Sequence, residues 1–461
     1  MSYRVVHKFG GSCLRDSTDL DRIAEVIQGD HQSIVIVSAL WGTTDRLYRA
    51  AKEPRYASRL VHDLSAQHLR FAPGLDTSSN AHLFSLVLHS IKDSLRELAQ
   101  RPKDNAALNR LLASGERLSA LVVAHRLQQK GIDAYPLGAE DIGITLDGNY
   151  SATHVDLQAS STKLNRDTLK GTPVITGWFG EGHNGELAVL SRGGSDHSAT
   201  AIAHLVEADE VILWKDVEGI FSINPRWGVR SETIRYLGYQ EAIELSLMDT
   251  PILHPSTIEP LIEFGIPLHV KHLHRKNNSD FTTIGPKKQS VLLKGIGCLP
   301  NVMSLGFSHN QVDAHQRHLV EILGKLAKEG INWWGLESRM GDSKLIVSQH
   351  DMHRAKEVFT KSNISPEIHQ HLALISLIGC DDKMLEIIDN TLEKADFNMT
   401  WLSKTSHSAR VALDGEELPI ALELLNKMML EQVDSTQPMI CLLYTSPSPR
   451  DMRRSRMPSS A

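Results

Sequence analysis

The sequence predicts an open α/β sandwich built on a mostly parallel sheet, followed by two small ferredoxin-like βαββαβ units. Three observations carry that prediction. Short β-branched runs stand at 5–9, 33–38, 174–176, 187–190, 211–214 and 268–270. They are continuously apolar rather than alternating, as in parallel strands buried on both faces. Between them lie apolar stripes at helical spacing: Leu20, Ile23, Val26 and Ile27; Leu83, Val87, Ile91 and Leu95; and Leu108, Leu111, Leu112, Gly115, Leu118 and Val122. Strand and helix in alternation imply a parallel sheet with helices on its faces, and such sheets bind ligands at the carboxyl ends of their strands. Third, a weak internal repeat of about 65–70 residues follows the polar stretch 276–288.

Each copy of the repeat reads as strand, helix, two strands and helix. The first has strands at 302–307, 331–333 and 344–347, with helices near 311–328 and 352–361. The second has strands at 374–378, 397–399 and 410–413, with helices near 382–395 and 416–431. The order βαββαβ suits a ferredoxin-like unit with helices on one sheet face. The expected domains are therefore 1–288, 296–368 and 369–440. Residues 442–461 carry four arginines, three prolines and no apolar period, and read as a disordered or non-native tail outside the fold.

Composition narrows the function. The 461 residues are 41% hydrophobic and 23% charged, which excludes a disordered or coiled-coil chain. A net charge of −6 gives no global footprint for nucleic acid or anionic membrane. No apolar run approaches the ~18 residues of a membrane span. The start runs directly into a strand, so no signal peptide is expected and the chain reads as cytoplasmic. Cys13, Cys298, Cys380 and Cys441 form no CxxC pair, which argues for a reduced compartment and against a zinc site. His269, His272 and His274 cluster without any metal-ligand spacing, so no metal site is expected.

Five segments can carry chemistry. Lys8-Phe9-Gly10-Gly11-Ser12 leaves the first strand: adjacent glycines let backbone N–H groups approach phosphate oxygens, and Lys8 can neutralise a transferred phosphoryl. The same residues also suit a plain Gly-Gly turn with Lys8 solvated. Ser38 to Asp45 (SALWGTTD) places small hydroxyls at a strand's carboxyl end, as a polar ligand site or a turn. Ser114-Gly115-Glu116-Arg117 sets a glycine inside a helix, where it costs about 1 kcal/mol against alanine and so points to a close approach. Glu116, at the edge of the stripe, can meet an ammonium or face water. Leu190 to Asp196 (LSRGGSD) joins a strand to a helix; Ser195 or Asp196 can cap that helix, its N-terminus favours an anion, and Arg192 can grip a carboxylate. Trp214 to Phe221 (WKDVEGIF), followed by Asn224-Pro225-Arg226, suits a nucleotide, or a surface loop.

In order and spacing, KFGGS, VSALWGTTD, SGERLSA, LSRGGSDHSA, WKDVEGIFSINPR and ILHP (252–255) together resemble the aspartokinases of the amino-acid kinase superfamily, and the duplicated tail resembles paired ACT domains. The resemblance runs from Val5 to about Val433. It implies a three-layer amino-acid-kinase sandwich that transfers the γ-phosphoryl of ATP to the β-carboxylate of L-aspartate, giving 4-phospho-L-aspartate, the first step towards lysine, threonine and methionine. It implies that Lys8 stabilises the phosphoryl, and that Gly10, Gly11 and Ser12 line the phosphate loop. Thr44, Glu116 and Arg192 would hold aspartate, with Ser38 nearby. Asp196 would organise Lys8, beside Ser195. Lys215, Asp216, Phe221 and Arg226 would contact the nucleotide, and Mg²⁺ would arrive with ATP. An amino-acid effector at the ACT units and a homodimer or higher homo-oligomer are also implied. The alternatives are a catalytically weak ACT-containing sensor or regulatory subunit, or another amino-acid kinase.

The chain departs from the family at several points. Gly11-Ser12-Cys13-Leu14 replaces the usual Gly-Thr-Ser-Val, keeping a hydroxyl at Ser12. Lys215-Asp216 stands where Thr-Asp is common, and Asp249-Thr250-Pro251 where many members have Gly-Ala-Lys. Arg317-His318-Leu319 and Trp333-Trp334 replace residues typical of lysine-sensitive members, so lysine is not implied as the effector.

Overall fold

A computed structural model of the chain describes residues 3–29, 32–191, 193–248, 252–275, 280–288 and 292–440. The segment 442–461 and the triplet Asp249-Thr250-Pro251 therefore lie outside the described residues. The chain divides into two compact units: Met1–Ile220 with Thr233–Ala242 and Ile252–Lys287, and Phe221–Glu232 with Ile243–Pro251 and Lys288–Ala461.

The strands of the first unit are, in chain order, β1 (Val5–Phe9), β2 (Ser33–Val37), β3 (Ala134–Leu137), β4 (Ser151–Ala152), β5 (Thr172–Thr176), β6 (Phe179–Glu181), β7 (Leu187–Leu190), β8 (Glu210–Lys215), β9 (Tyr236–Gly238), β10 (Leu268–His272) and β11 (Thr282–Gly285). Eight form one sheet in the order β3-β5-β2-β1-β8-β10-β11-β9, parallel throughout except for the antiparallel pair β10–β11. Pro136 sits in β3, the edge strand, where a missing N–H is tolerated. The chain moves from β1 to β2 on one side and later returns to β8 on the other. That reversal makes the carboxyl ends of β2, β1 and β8 a topological switch point.

The helices are α1 (Ser17–Ile27), α2 (Thr43–Lys52), α3 (Pro54–Phe71), α4 (Ala81–Gln100), α5 (Asn105–Gln129), α6 (Leu157–Lys163), α7 (Gly194–Val206), α8 (Tyr239–Ser246) and α9 (Pro255–Ile258). α1 starts at Ser17 because Asp16 and Asp19 form a reciprocal capping box there. α1 and α5 cover one sheet face, with α2, α3 and α4 packed around α5; α7 covers the other. Alternation along β1 sorts its side chains between those layers. Val5 and Phe9 join the α1–α5 core, where His7, Phe9 and Trp214 lie with parallel rings. Lys8 therefore faces α7. The predicted three-layer sandwich is the observed one. Three short strands, β4, β7 and β6, form a separate sheet whose hairpin leads into α7.

The later elements of the second unit are β12 (Gly295–Ser308), α10 (Val312–Lys328), β13 (Trp333–Arg339), β14 (Asp342–Ser348), α11 (Met352–Lys361), β15 (Glu367–Ile378), α12 (Asp382–Lys394), β16 (Met399–Lys404), β17 (Ser408–Asp414) and α13 (Leu418–Ile440). They form a six-stranded sheet, β13-β14-β12-β15-β17-β16. The two copies interlock. Val302 to Ser308 of β12 pairs with β14, while Gly295 to Leu299 of the same strand pairs with β15 in the second copy. In return, Glu367 to His369 of β15 pairs with the first copy. The first copy thus completes βαββαβ, and the second draws its fourth strand from ahead of the first. Register shifts between Leu299 and Ser304 mark the crossing, where Asn301 and His371 adopt left-handed φ of 59° and 63°.

One largely buried ion pair, with side chains 18% and 14% exposed, holds Glu244 to this sheet within the second unit. Arg410 donates through Nε and Nη2 to Glu244 at 2.5 and 2.8 Å and through Nη1 to the Trp334 carbonyl at 2.6 Å; Ser376 Oγ donates to Glu244 at 2.8 Å. Truncating one partner of such a pair strands the other charge, so Arg410→Met is expected to cost about 3–5 kcal/mol in urea unfolding. Adding Glu244→Gln should restore much of it.

Candidate active site

A cavity of about 520 Å³ opens at the carboxyl ends of β1 and β2 in the first unit. Its wall includes Lys8, Gly11, Ser38, Thr44, Glu116, Ser195 and Asp196, together with the Trp178 ring and the turn at Ser191, Gly193 and Gly194. Seven of the residues picked from the sequence thus meet in one place. Arg192 lies outside the described residues. Phe221 and Arg226 belong to the segment Phe221–Glu232 of the second unit.

Asp196 anchors the site. Lys8 Nζ stands 2.6 Å from its Oδ1 and Lys215 Nζ 2.7 Å from its Oδ2, while Lys215 also donates to the Ile252 carbonyl at 3.0 Å. Asp196 and Lys8 are only 6% exposed. Burial pushes the Asp196 carboxyl up, but the two ammonium groups outweigh it and hold it well below the usual carboxylate range. Two cations against one anion leave one surplus positive charge, buried beside the cavity. A charge held by fixed neighbours needs no reorganisation when a phosphate arrives.

The two turns approach closely because both lack side chains where they must. A Cβ on Gly10 would lie 3.3 Å from Lys8 Nζ, and one on Gly11 would lie 3.2 Å from the Ala39 carbonyl. Ser12 sits in the 3-10 turn Gly11–Cys13. Burial drives the Cys13 thiol up to about 12, which leaves it an unreactive packing group. The helix cap differs from expectation. Gly193, with φ +82°, caps α7; Ser195 and Asp196 lie inside the first turn, and no side chain caps it. Asp196 is committed to the lysines instead. His197, next along, is buried between the Val155 N–H (2.8 Å) and the Ser256 carbonyl (2.6 Å), and burial lowers its pKa to about 4, so it serves as a neutral strut.

Glu116 is deeper than its place at the edge of a stripe implied. It is 3% exposed; Oε1 accepts from the Ala39 N–H at 3.2 Å, and Oε2 has no hydrogen-bond partner among the described residues. Burial raises its pKa to about 8, against the lowering effects of the Ala39 N–H and Lys8. Such a buried oxygen without a donor, on a cavity wall, is an acceptor left over by the protein's own hydrogen bonding. Gly115 permits this depth: a Cβ there would meet Ala39 Cβ at 3.0 Å and Leu47 Cδ1 at 3.4 Å. Gly115→Val is expected to lower the melting temperature by several degrees, about 1–3 kcal/mol of overpacking, as scanning calorimetry would read.

Trp178 was not picked from the sequence. Its φ of +76° is rare for a bulky residue, and it is held there by donation from its N–H to Ser198 Oγ (3.0 Å) and from Nε1 to the Leu190 carbonyl (2.7 Å). The only sequence signal was a Gly-aromatic pair directly after β5.

The geometry has the features of a phosphoryl-transfer site. The amino acid kinase family model matches residues 3–272. The chain belongs to the amino acid kinase family. Among its relatives, an aspartokinase from Chlamydia pneumoniae is 26% identical over 414 residues, covering 85% of this chain and 89% of its own length. A bifunctional aspartokinase/homoserine dehydrogenase 2 from Arabidopsis thaliana is 28% identical over 282 residues, but only 31% of its length is matched. Among solved structures, Escherichia coli aspartokinase III in complex with aspartate and ADP superposes with a TM-score of 0.75 at 22% identity, covering 92% of this chain and 99% of that one. That likeness concerns the fold of this amino acid kinase.

Proposed function

We propose that this amino acid kinase transfers the γ-phosphoryl of ATP to the β-carboxylate of L-aspartate, as the first step of lysine, threonine and methionine biosynthesis. The observation that carries the reading is the shared cavity: Glu116, whose buried Oε2 has no hydrogen-bond partner among the described residues, stands on the same wall as Lys8 and Asp196, the latter paired in turn with Lys215. Glu116 takes the α-ammonium of aspartate, and Thr44, Ser38 and Arg192 take its carboxylate end. The β-carboxylate is left to attack γ-phosphorus in line. The new bond is carboxyl oxygen to phosphorus, the broken one is phosphorus to the β–γ bridging oxygen, and ADP leaves with the electron pair.

No general base is required, since the attacking carboxylate is ionised at neutral pH. The protein's work is to position two anions and offset their repulsion. Lys8 stabilises charge on the phosphoryl; Gly10, Gly11, Ser12 and the α7 turn with Ser195 offer N–H groups to phosphate oxygens. Lys215, at the end of β8, and Asp216, which follows it, are assigned to the nucleotide. Mg²⁺ enters as the ATP complex, keeping phosphate and water ligands.

The domains are assigned as catalytic over 1–288 and as ACT-like over 296–368 and 369–440, with an amino-acid effector at the latter. No helix among the described residues is long and apolar enough to cross a membrane. A cytoplasmic homodimer is the proposed form, because β13 and β16 are the edges of the six-stranded sheet. Gel filtration at micromolar concentration should give twice the chain mass; a monomer counts against it. The activity is tested by trapping acyl phosphate as hydroxamate with ATP and a panel of aspartate, glutamate and N-acetylglutamate. Product with aspartate alone is expected. Product only with another acceptor moves the enzyme elsewhere in the family, and none with any acceptor favours a sensor.

A further inference from the structure

Three side chains from three loops meet at Trp41, a residue of the cavity wall, without belonging to the buried cluster. The Arg15 guanidinium lies 4.7 Å from the centroid of the Trp41 ring, and its Nη2 is 2.9 Å from Asp216 Oδ2. Arg15 follows the Gly10–Gly11 turn after β1, Trp41 follows β2 and Asp216 follows β8, so the contacts run across all three strands of the switch point. The Trp41 N–H donates to the Leu14 carbonyl at 3.1 Å, which fixes the indole beside the base of Arg15.

This arrangement is poorly explained as a staple. The Arg15 and Asp216 side chains are 46% and 49% exposed, and exposed ion pairs of that kind contribute little to stability. Trp41 is 58% exposed although it walls the cavity, leaving a large ring in water. What the contacts do achieve is to hold a guanidinium over an aromatic ring, a few residues from the Gly10–Gly11 turn. A guanidinium on an aromatic platform keeps its fork of donors available and matches phosphate oxygens two at a time.

We propose that Arg15 is a nucleotide-positioning residue that exchanges Asp216 for oxygens of the triphosphate when ATP binds, with Trp41 as its platform. Asp216 is its resting partner in the free enzyme. This deepens the kinase reading above and rests on ATP occupying the Gly10–Gly11 turn.

The test is calorimetric titration of the full chain with MgATP and with adenosine, alongside steady-state kinetics. Arg15→Ala should weaken MgATP about tenfold, the loss of one charge-assisted phosphate contact. Adenosine affinity and the KM for aspartate should stay within about twofold, since neither ligand carries the phosphates. Arg15→Lys should recover part of the loss, because it keeps the charge but not the fork, and Trp41→Ala should weaken MgATP severalfold. Equal losses for adenosine and MgATP, an unchanged MgATP affinity in Arg15→Ala, or a rise confined to the KM for aspartate would each overturn the proposal. An unsubstituted chain that binds no ATP sinks the kinase reading as well, whereas one that phosphorylates aspartate yet ignores Arg15→Ala sinks this inference alone.

Discussion

Lys8→Ala is expected to abolish turnover, with kcat falling about 10³-fold or more, the scale of removing a pre-placed charge from a phosphoryl-transfer site. The substitution removes one of the two cations on Asp196, so the surplus positive charge beside the cavity vanishes. KM for aspartate should change far less than kcat, because the proposed role of Lys8 is to meet charge that develops during transfer. A folded Lys8→Ala enzyme with native kcat in the hydroxamate assay would refute the assignment. Gly10→Ala gives a graded version. Its Cβ would sit 3.3 Å from Lys8 Nζ, so the ammonium must shift while its charge survives. A partial loss of kcat there, with an unchanged melting temperature, would show that the position of Nζ matters and not merely its presence. Asp196 is not the source of any acid limb in ordinary buffers. Its carboxyl is held below the usual range, so the stability it contributes is present above its unfolded value and is lost only as pH falls through the depressed one.

The core of this site was legible because its parts are local. Gly10-Gly11 and Gly193-Gly194 are turn signals, the first directly after an apolar run that reads as a strand and the second after Ser191-Arg192 at the end of another. Parallel α/β topology then brings strand ends together without further information. What the sequence hid is non-local. The stripe on α5 placed Glu116 at an edge, but the sheet on one side and α1, α2, α3 and α4 on the others bury α5, so the edge became interior. Trp178 depends on a backbone conformation imposed by Ser198 and Leu190, neither of which is adjacent to it. The repeat was visible, yet the exchange of strand ends between β12 and β15 was not. Pairing of Gly295 with Ile378 spans a whole repeat, and no local pattern encodes it.

The depth of Glu116 makes aspartate affinity depend on pH in a specific direction. With its pKa raised to about 8 by burial, Glu116 is a neutral acid in the ligand-free protein at pH 7. An incoming α-ammonium is best met by the carboxylate, so binding expels a proton from Glu116 and is favoured as pH rises. KM for aspartate should therefore fall about tenfold per pH unit from pH 6 towards the Glu116 value, then level off, since one proton is released per ligand bound. The free protein moves the other way. A raised carboxyl favours the protonated folded form, so its contribution is fully present below the ordinary glutamate value of 4.5 and is lost as pH rises through about 8. Thermal shifts induced by aspartate should accordingly grow between pH 6 and 8. Glu116→Gln keeps the shape and the Ala39 contact but cannot ionise. It should raise KM for aspartate about 100-fold at high pH, flatten the profile, and leave the KM for ATP near native, a loss matching one buried charged contact. A Glu116→Gln enzyme that retains the native slope would place the titrating group elsewhere and remove Glu116 from the ammonium.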